Sequence, residues 1–151
     1  MSPLHPASGV DPRGPRFAAW LTSAVLALVL LTSSGWLLGA QTLVFGIGAT
    51  LGLSKAPYGF LFRRFVRPRL APPAELEAET PPRFAQGVGA AFGLAGTISF
   101  AAGAAGAGLV FTALALVAAL LNAATGFCLG CEVYLLGLRL AQPAPVGQAG
   151  R

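Results

Sequence analysis

The chain has 151 residues, one domain by length, of which 55% are hydrophobic and only 10% charged, against about 25% charged in an ordinary soluble domain. That composition excludes a water-soluble globular fold and predicts an all-α integral membrane protein. A net charge of +5 in so apolar a chain sets orientation in a bilayer rather than binding to nucleic acid, and two cysteines are too few for a disulfide-stapled secreted fold.

Residues 1–14 carry Pro3, Pro6, Gly9, Pro12 and Gly14 and read as a polar tail in which His5 is solvated and idle. Phe17 to Ala40 holds no charge and is expected to be the first span. Trp20 and Trp36, about 24 Å apart along a helix, suit the two interfacial aromatic belts. A cleaved signal peptide is the rival reading, but Leu38-Gly-Ala40 is a poor cleavage site.

Gly39 to Ser54, with Gly46, Gly48 and Gly52, is expected to return across the membrane as a short span packed closely on the first. Tyr58, Leu61, Phe62, Phe65 and Val66 then recur at helical spacing, with Arg63, Arg64 and Arg67 projecting elsewhere. This predicts a basic amphipathic helix in the headgroup plane, its arginines touching acidic lipid or gathering an anion. Residues 71–81 form a Pro/Glu linker, where Glu75, Glu77 and Glu79 read as a solvated charge run.

Phe84 to Ala104 is the expected third span, with Gly89 and Gly93 forming a G-x-x-x-G face. Residues 105–141 contain only Glu132 and Arg139 as charges, too long a stretch for one span of about 20 residues. Gly126 and Gly130 are the natural places for a break. Residues 142–151 read as a second tail.

Shifted by 67 residues, the chain repeats itself. Pro15-Arg-Phe-Ala18 falls on Pro82-Arg-Phe-Ala85 and Gly59-Phe60 on Gly126-Phe127, within 12 identities over residues 15–66. Two tandem helical hairpins, 15–70 and 82–141, each followed by an interfacial helix, give four transmembrane helices in all. Both hairpin tips are free of charge, so the tails and linker are expected on the cytoplasmic side.

The chemistry concentrates in Cys128 and Cys131. Two cysteines placed at random in this length fall three apart roughly once in 75 placements, so the C-x-x-C spacing asks for an explanation. The spacing allows one sulfur to attack and the other to resolve a mixed disulfide or persulfide, or both to ligate a soft metal. With a span ending near Gly126 and a helix beginning near Leu129, Cys128 would sit at a helix start, where the dipole favours the thiolate. Glu132 opposes that for Cys131, which makes Cys128 the expected nucleophile and Cys131 the resolver. Asn122, one turn earlier, is expected to bond to a neighbouring helix or else to line a path to the site. The alternative for the pair is two small apolar residues in a packed corner.

Thr125-Gly-Phe-Cys-Leu-Gly-Cys-Glu-Val-Tyr-Leu-Leu-Gly137, with the Pro15-Arg-Phe and Tyr58-Gly-Phe-Leu-Phe-Arg-Arg64 blocks, resembles a family of small bacterial four-helix membrane proteins known only as a domain of unknown function. Thr125-Gly-Phe-Cys128 followed by Tyr134-Leu-Leu-Gly137 is also similar to the two-helix membrane hairpin of some rhodanese-type sulfurtransferases. That likeness implies persulfide handling, although Cys131 and the lack of a rhodanese domain depart from the pattern.

The expected function is a membrane thiol-redox or sulfane-sulfur relay at the cytoplasmic face, with Cys128 and Cys131 reactive and Glu132, Asn122 and Tyr134 in support. The alternative is a non-catalytic membrane subunit or a small-molecule or anion transporter. No cofactor or metal is expected. Expected partners are the lipid bilayer and a cytosolic thioredoxin-like or sulfurtransferase protein, with a homo-oligomer left open. The expected location is the bacterial inner membrane, multi-pass, with both termini cytoplasmic.

Overall fold

The computed structural model describes residues 9–142, so His5 and the tail beyond Gln142 lie outside the described residues. The chain folds as α1 (Arg13–Thr32), α2 (Gly35–Thr50), α3 (Pro57–Leu61), α4 (Thr80–Ala101), α5 (Ala105–Thr125) and α6 (Leu129–Ala141). Two short strands, β1 (Gly9–Val10) and β2 (Glu77–Ala78), pair antiparallel. The all-helical expectation therefore stands.

Three of the helices, α1, α4 and α5, are long and apolar enough to cross a membrane. The second helix has 16 residues, about 24 Å at 1.5 Å per residue, which is short of a hydrocarbon core of about 30 Å. The boundary between α1 and α2 also differs from the expected span Phe17–Ala40. Ser33 turns left-handed at φ 52°, and the Ser34 hydroxyl accepts a hydrogen bond from the Leu37 N–H at 3.2 Å. A serine N-cap inside an apolar run thus ends the first helix at Thr32 and places Trp36 in the next one.

Both ends of the polar segments are also more ordered than their composition suggests. Asp11 is buried, and its carboxylate accepts from the Arg13 backbone N–H at 3.0 Å and from the Arg13 guanidinium at 2.7 Å. That fixes the first turn of α1 at a point expected to be tail. At the far end of the linker, Pro81 and Pro82 fall in the first turn of α4, where the missing N–H costs nothing. Glu79 is only partly exposed and accepts from the Leu53 N–H at 2.9 Å, so it is not part of a solvated run.

The most extensive helix contacts are α2 on α4, followed by α1 on α5 and α4 on α5. Small residues make the first of these close. A Cβ at Gly89 would lie 3.0 Å from the Phe45 ring, and one at Gly96 would lie 2.7 Å from the Leu38 side chain. Gly93 faces Thr42 in the same row, so the expected G-x-x-x-G face is the seat of α2. The fully buried residues Leu26, Val29 and Leu38 form the core, with Phe100 and Leu116 packed around them.

After α2 the chain folds back through α3, one π-turn (Phe62–Val66) and one 3-10 turn. Phe62 is buried against Gly14 and Phe17, its ring centroid 5.8 Å from that of Phe17. The packing side is Tyr58, Phe62 and Val66, while Leu61, Phe65 and the arginines are exposed. Tyr58 donates to the Gln41 side-chain oxygen at 2.6 Å, and the Gln41 amide donates to Thr22 at 3.4 Å. Burial pushes the Tyr58 phenol above its ordinary range.

Candidate functional site

The break expected near the second cluster of glycines occurs at Gly126, which caps α5 with φ 78°, a conformation open to glycine and costly to residues with a Cβ. The chain then re-enters a helix at Leu129 with Cys128 as N-cap. The Cys128 sulfur accepts from the Cys131 backbone N–H at 3.3 Å. The two sulfurs make a disulfide-like contact across a Cα–Cα distance of 5.2 Å, inside the range that a disulfide spans. Because Cys128 is N-cap and Cys131 the third helical residue, the pair does not lie within one regular helical turn, and the extended backbone at Cys128 (ψ 101°) brings its sulfur over the helix start.

Gly130 holds this segment in place. A Cβ there would sit 2.8 Å from the Ala85 Cα, so glycine is what lets α6 rest directly on the backbone of α4. One helical turn later, Tyr134 packs on Phe84 with ring centroids 5.4 Å apart. Tyr134 therefore anchors α6 to α4. Glu132 is exposed in the first turn of α6, where a carboxylate is favoured by the helix dipole.

The basic side chains of the amphipathic segment have their own partners. Arg63 donates to the Ser54 carbonyl at 2.7 Å, and Arg64 lies over the Phe65 ring at 5.5 Å. Arg67 lies close enough to Asp11 to lower its pKa, behind the larger effect of Arg13. The cation nearest the Gly126 turn is instead Arg16, which sequence reading did not single out. Its guanidinium donates to the Ala123 carbonyl at 3.2 Å, and its Nε lies 3.8 Å from where a Gly126 Cβ would be. Arg83, its counterpart 67 residues on, donates to the Ala49 and Thr50 carbonyls at 3.0 and 2.8 Å. The repeated Pro-Arg-Phe block was the signal, since each arginine caps the second helix of the other half.

Cys128 also lines a cavity of about 410 Å³ between α1, α4, α5 and α6, to which Phe45 of α2 contributes. Asn122 and Gln86 line it too. The hydrogen bond from Asn122 to a neighbouring helix, the first expectation for that residue, is absent among the described residues.

The arrangement defines a class: an all-helical protein with three helices fit to cross a membrane and a cysteine pair at the start of a short terminal helix. The chain belongs to the family described as Domain of unknown function (DUF4395), which matches residues 10–139. No curated protein and no solved structure matches the chain.

Proposed function

We propose that this protein is a membrane thiol-redox relay that exchanges a dithiol for a disulfide between Cys128 and Cys131. The observation that carries the reading is the placement of Cys128 at the N-cap of α6 with its sulfur in contact with that of Cys131. In the reaction, the Cys128 thiolate attacks one sulfur of a partner's disulfide and expels the other as a thiolate. Cys131 then attacks the Cys128 sulfur, and the partner's second thiol leaves. The partner gains two electrons and two protons, and the relay ends as the Cys128–Cys131 disulfide. A sulfane sulfur taken up on Cys128 would be released by the same attack. The helix start favours the attacking thiolate, and the Arg16 cation beside Gly126 supports it.

The same reading has four spans, α1, α4 and α5 at full length and α2 as a short one over which the bilayer thins, as two tandem hairpins with α3 and α6 at the cytoplasmic face of a bacterial inner membrane. The reciprocal caps of Arg16 on α5 and Arg83 on α2 support the two-hairpin arrangement, and the charge-free tips support the orientation. A soluble thioredoxin-like or sulfurtransferase protein is the proposed partner.

Graded alkylation of the reduced protein followed by mass spectrometry tests the chemistry. Cys128 should modify first near neutral pH, faster than a free thiol of pKa about 8.5, with Cys131 following. Two thiols that react together only after denaturation would leave a non-catalytic scaffold as the better reading. For topology, Gly106→Cys in a chain lacking Cys128 and Cys131 should label only from the periplasmic side.

A further inference from the structure

The cavity beside Cys128 is not used by dithiol exchange with a soluble partner, and its lining has a definite character. Its volume of about 410 Å³ lies in the range of small-molecule sites, about 300–1,000 Å³. Most of the wall is apolar, from Ala118, Val88, Phe92 and their neighbours. Its rim includes Leu114, Val117 and Val133, which are 53%, 64% and 53% exposed. These residues belong to the outer faces of α5 and α6, so the cavity opens sideways, toward the acyl chains of a surrounding bilayer. A ligand entering by that route is lipid-soluble.

The polar groups then narrow the class. Thr22 already accepts from Gln41, but the side-chain amides of Gln86 and Asn122 make no hydrogen bond among the described residues. Two such amides on the wall of an apolar cavity are suited to receive the carbonyl oxygens of a ligand. Cys128 lines the same cavity.

We infer that the cavity binds a lipid-soluble quinone, which takes the electrons of the Cys128–Cys131 dithiol. This rests on the thiol-redox reading with the exchange running in reverse, so that the partner's dithiol reduces the Cys128–Cys131 disulfide and leaves as a disulfide, and it names the acceptor at that site. The two thiols lose two electrons and two protons as the sulfur–sulfur bond forms, and the quinone gains both to become the quinol. Gln86 and Asn122 position the quinone by donating to its oxygens, and the sulfur nearest the ring is that of Cys128.

The test uses the full chain in nanodiscs, first reduced and freed of reductant, then given a short-chain ubiquinone or menaquinone analogue without oxygen. One quinol should form per Cys128–Cys131 disulfide, by absorbance and mass spectrometry. Binding is read separately in the Cys128→Ser/Cys131→Ser double variant, which cannot react. There the quinone should bind saturably, and Asn122→Leu or Gln86→Leu should weaken it about tenfold, the value of one hydrogen bond. Ala118→Phe, which fills the cavity with apolar bulk, should abolish binding. Oxidation of the dithiol by a soluble disulfide with no quinol formed from quinone would overturn the quinone site and leave the relay intact. Absence of saturable binding in the double variant, or binding unchanged by all three cavity substitutions, would overturn it equally.

Discussion

Gly59-Phe60 and Gly126-Phe127 stand 67 residues apart in equivalent places of the two halves, yet they build different structures. Pro57 starts a helix just before Gly59, so that glycine lies inside α3. Its role there is close approach, since a Cβ on it would overlap the Leu53 carbonyl oxygen. Gly126 follows a helix of 21 residues and ends it in the left-handed region. The first half therefore continues as a helical segment through Leu61 and Arg64, whereas the second half stops and restarts at the positions of Cys128 and Cys131. The interiors differ in the same way. In the first half Tyr58, Gln41 and Thr22 form a hydrogen-bonded chain. Their counterparts by the 67-residue shift are Thr125, Gly108 and Gly89, and Gly89 lines the open cavity. What precedes a motif, and what is absent opposite it, decides whether it becomes a scaffold or a site.

The sharpest way to break this comparison is to move the cysteines. Leu61→Cys with Arg64→Cys, in a chain carrying Cys128→Ser and Cys131→Ser, should stay reduced under conditions that fully oxidise the native pair. The reason is that residues 61 and 64 lie in one continuous helical segment with no N-cap between them. Ready oxidation of the transplanted pair, seen by mass spectrometry, would mean that the helix break is irrelevant to the chemistry.

Alanine at the two glycines should separate their roles next. Gly59→Ala is expected to cost about 3 kcal/mol, because two backbone segments must part. Gly126→Ala should cost about 1–2 kcal/mol for a left-handed residue with a Cβ. Chemical denaturation in detergent would measure both, and equal costs would contradict the assignment of different roles. Tyr58→Phe leaves the buried Gln41 oxygen without its donor and should cost about 1–2 kcal/mol, while Thr125→Val, at the equivalent exposed place, should cost less.

Arg16→Ala and Arg83→Ala should each destabilise by about 1 kcal/mol through loss of a charged cap on carbonyls of the other half. Their effects should add, because the two caps sit on different helix ends and share no partner. Strong non-additivity in a double-mutant cycle would show that the halves are coupled through these residues. The smallest effect concerns Asp11, whose carboxyl is held below its ordinary range by the Arg13 guanidinium, against the opposing effect of burial. A depressed native pKa contributes stability that is present above the unfolded value and lost as pH falls through the native one. Thermal unfolding should therefore show a loss at and below about pH 3.8 that Asp11→Asn lacks.

Much of the candidate site was legible in the sequence because its causes are local. A glycine after a long apolar run, followed two residues later by a cysteine and three more by its partner, predicts a helix stop, a helix start and a close sulfur pair. The turn between α1 and α2 was legible only as lying near Ser34 to Gln41, and its placement at Ser33 and Ser34 was not, because a serine cap within an uncharged apolar stretch leaves the hydropathy unbroken. Asp11 and Glu79 read as solvated charges since their partners, Arg13 and the Leu53 N–H, become partners only when the chain folds.

By itself the sequence determined a helical chain of membrane character, the break at Gly126 and the pairing of Cys128 with Cys131, because periodicity, hydropathy and backbone preference act over a few residues. Only the tertiary structure decided that Arg16 and Arg83 cap helices more than 30 residues away, and that Gly130 seats α6 on Ala85. It alone also placed Gln86, Asn122 and Cys128 around one cavity. Those arrangements depend on which helix faces which, and that is set by the summed fit of small residues along α2 and α4 rather than by any single stretch of chain.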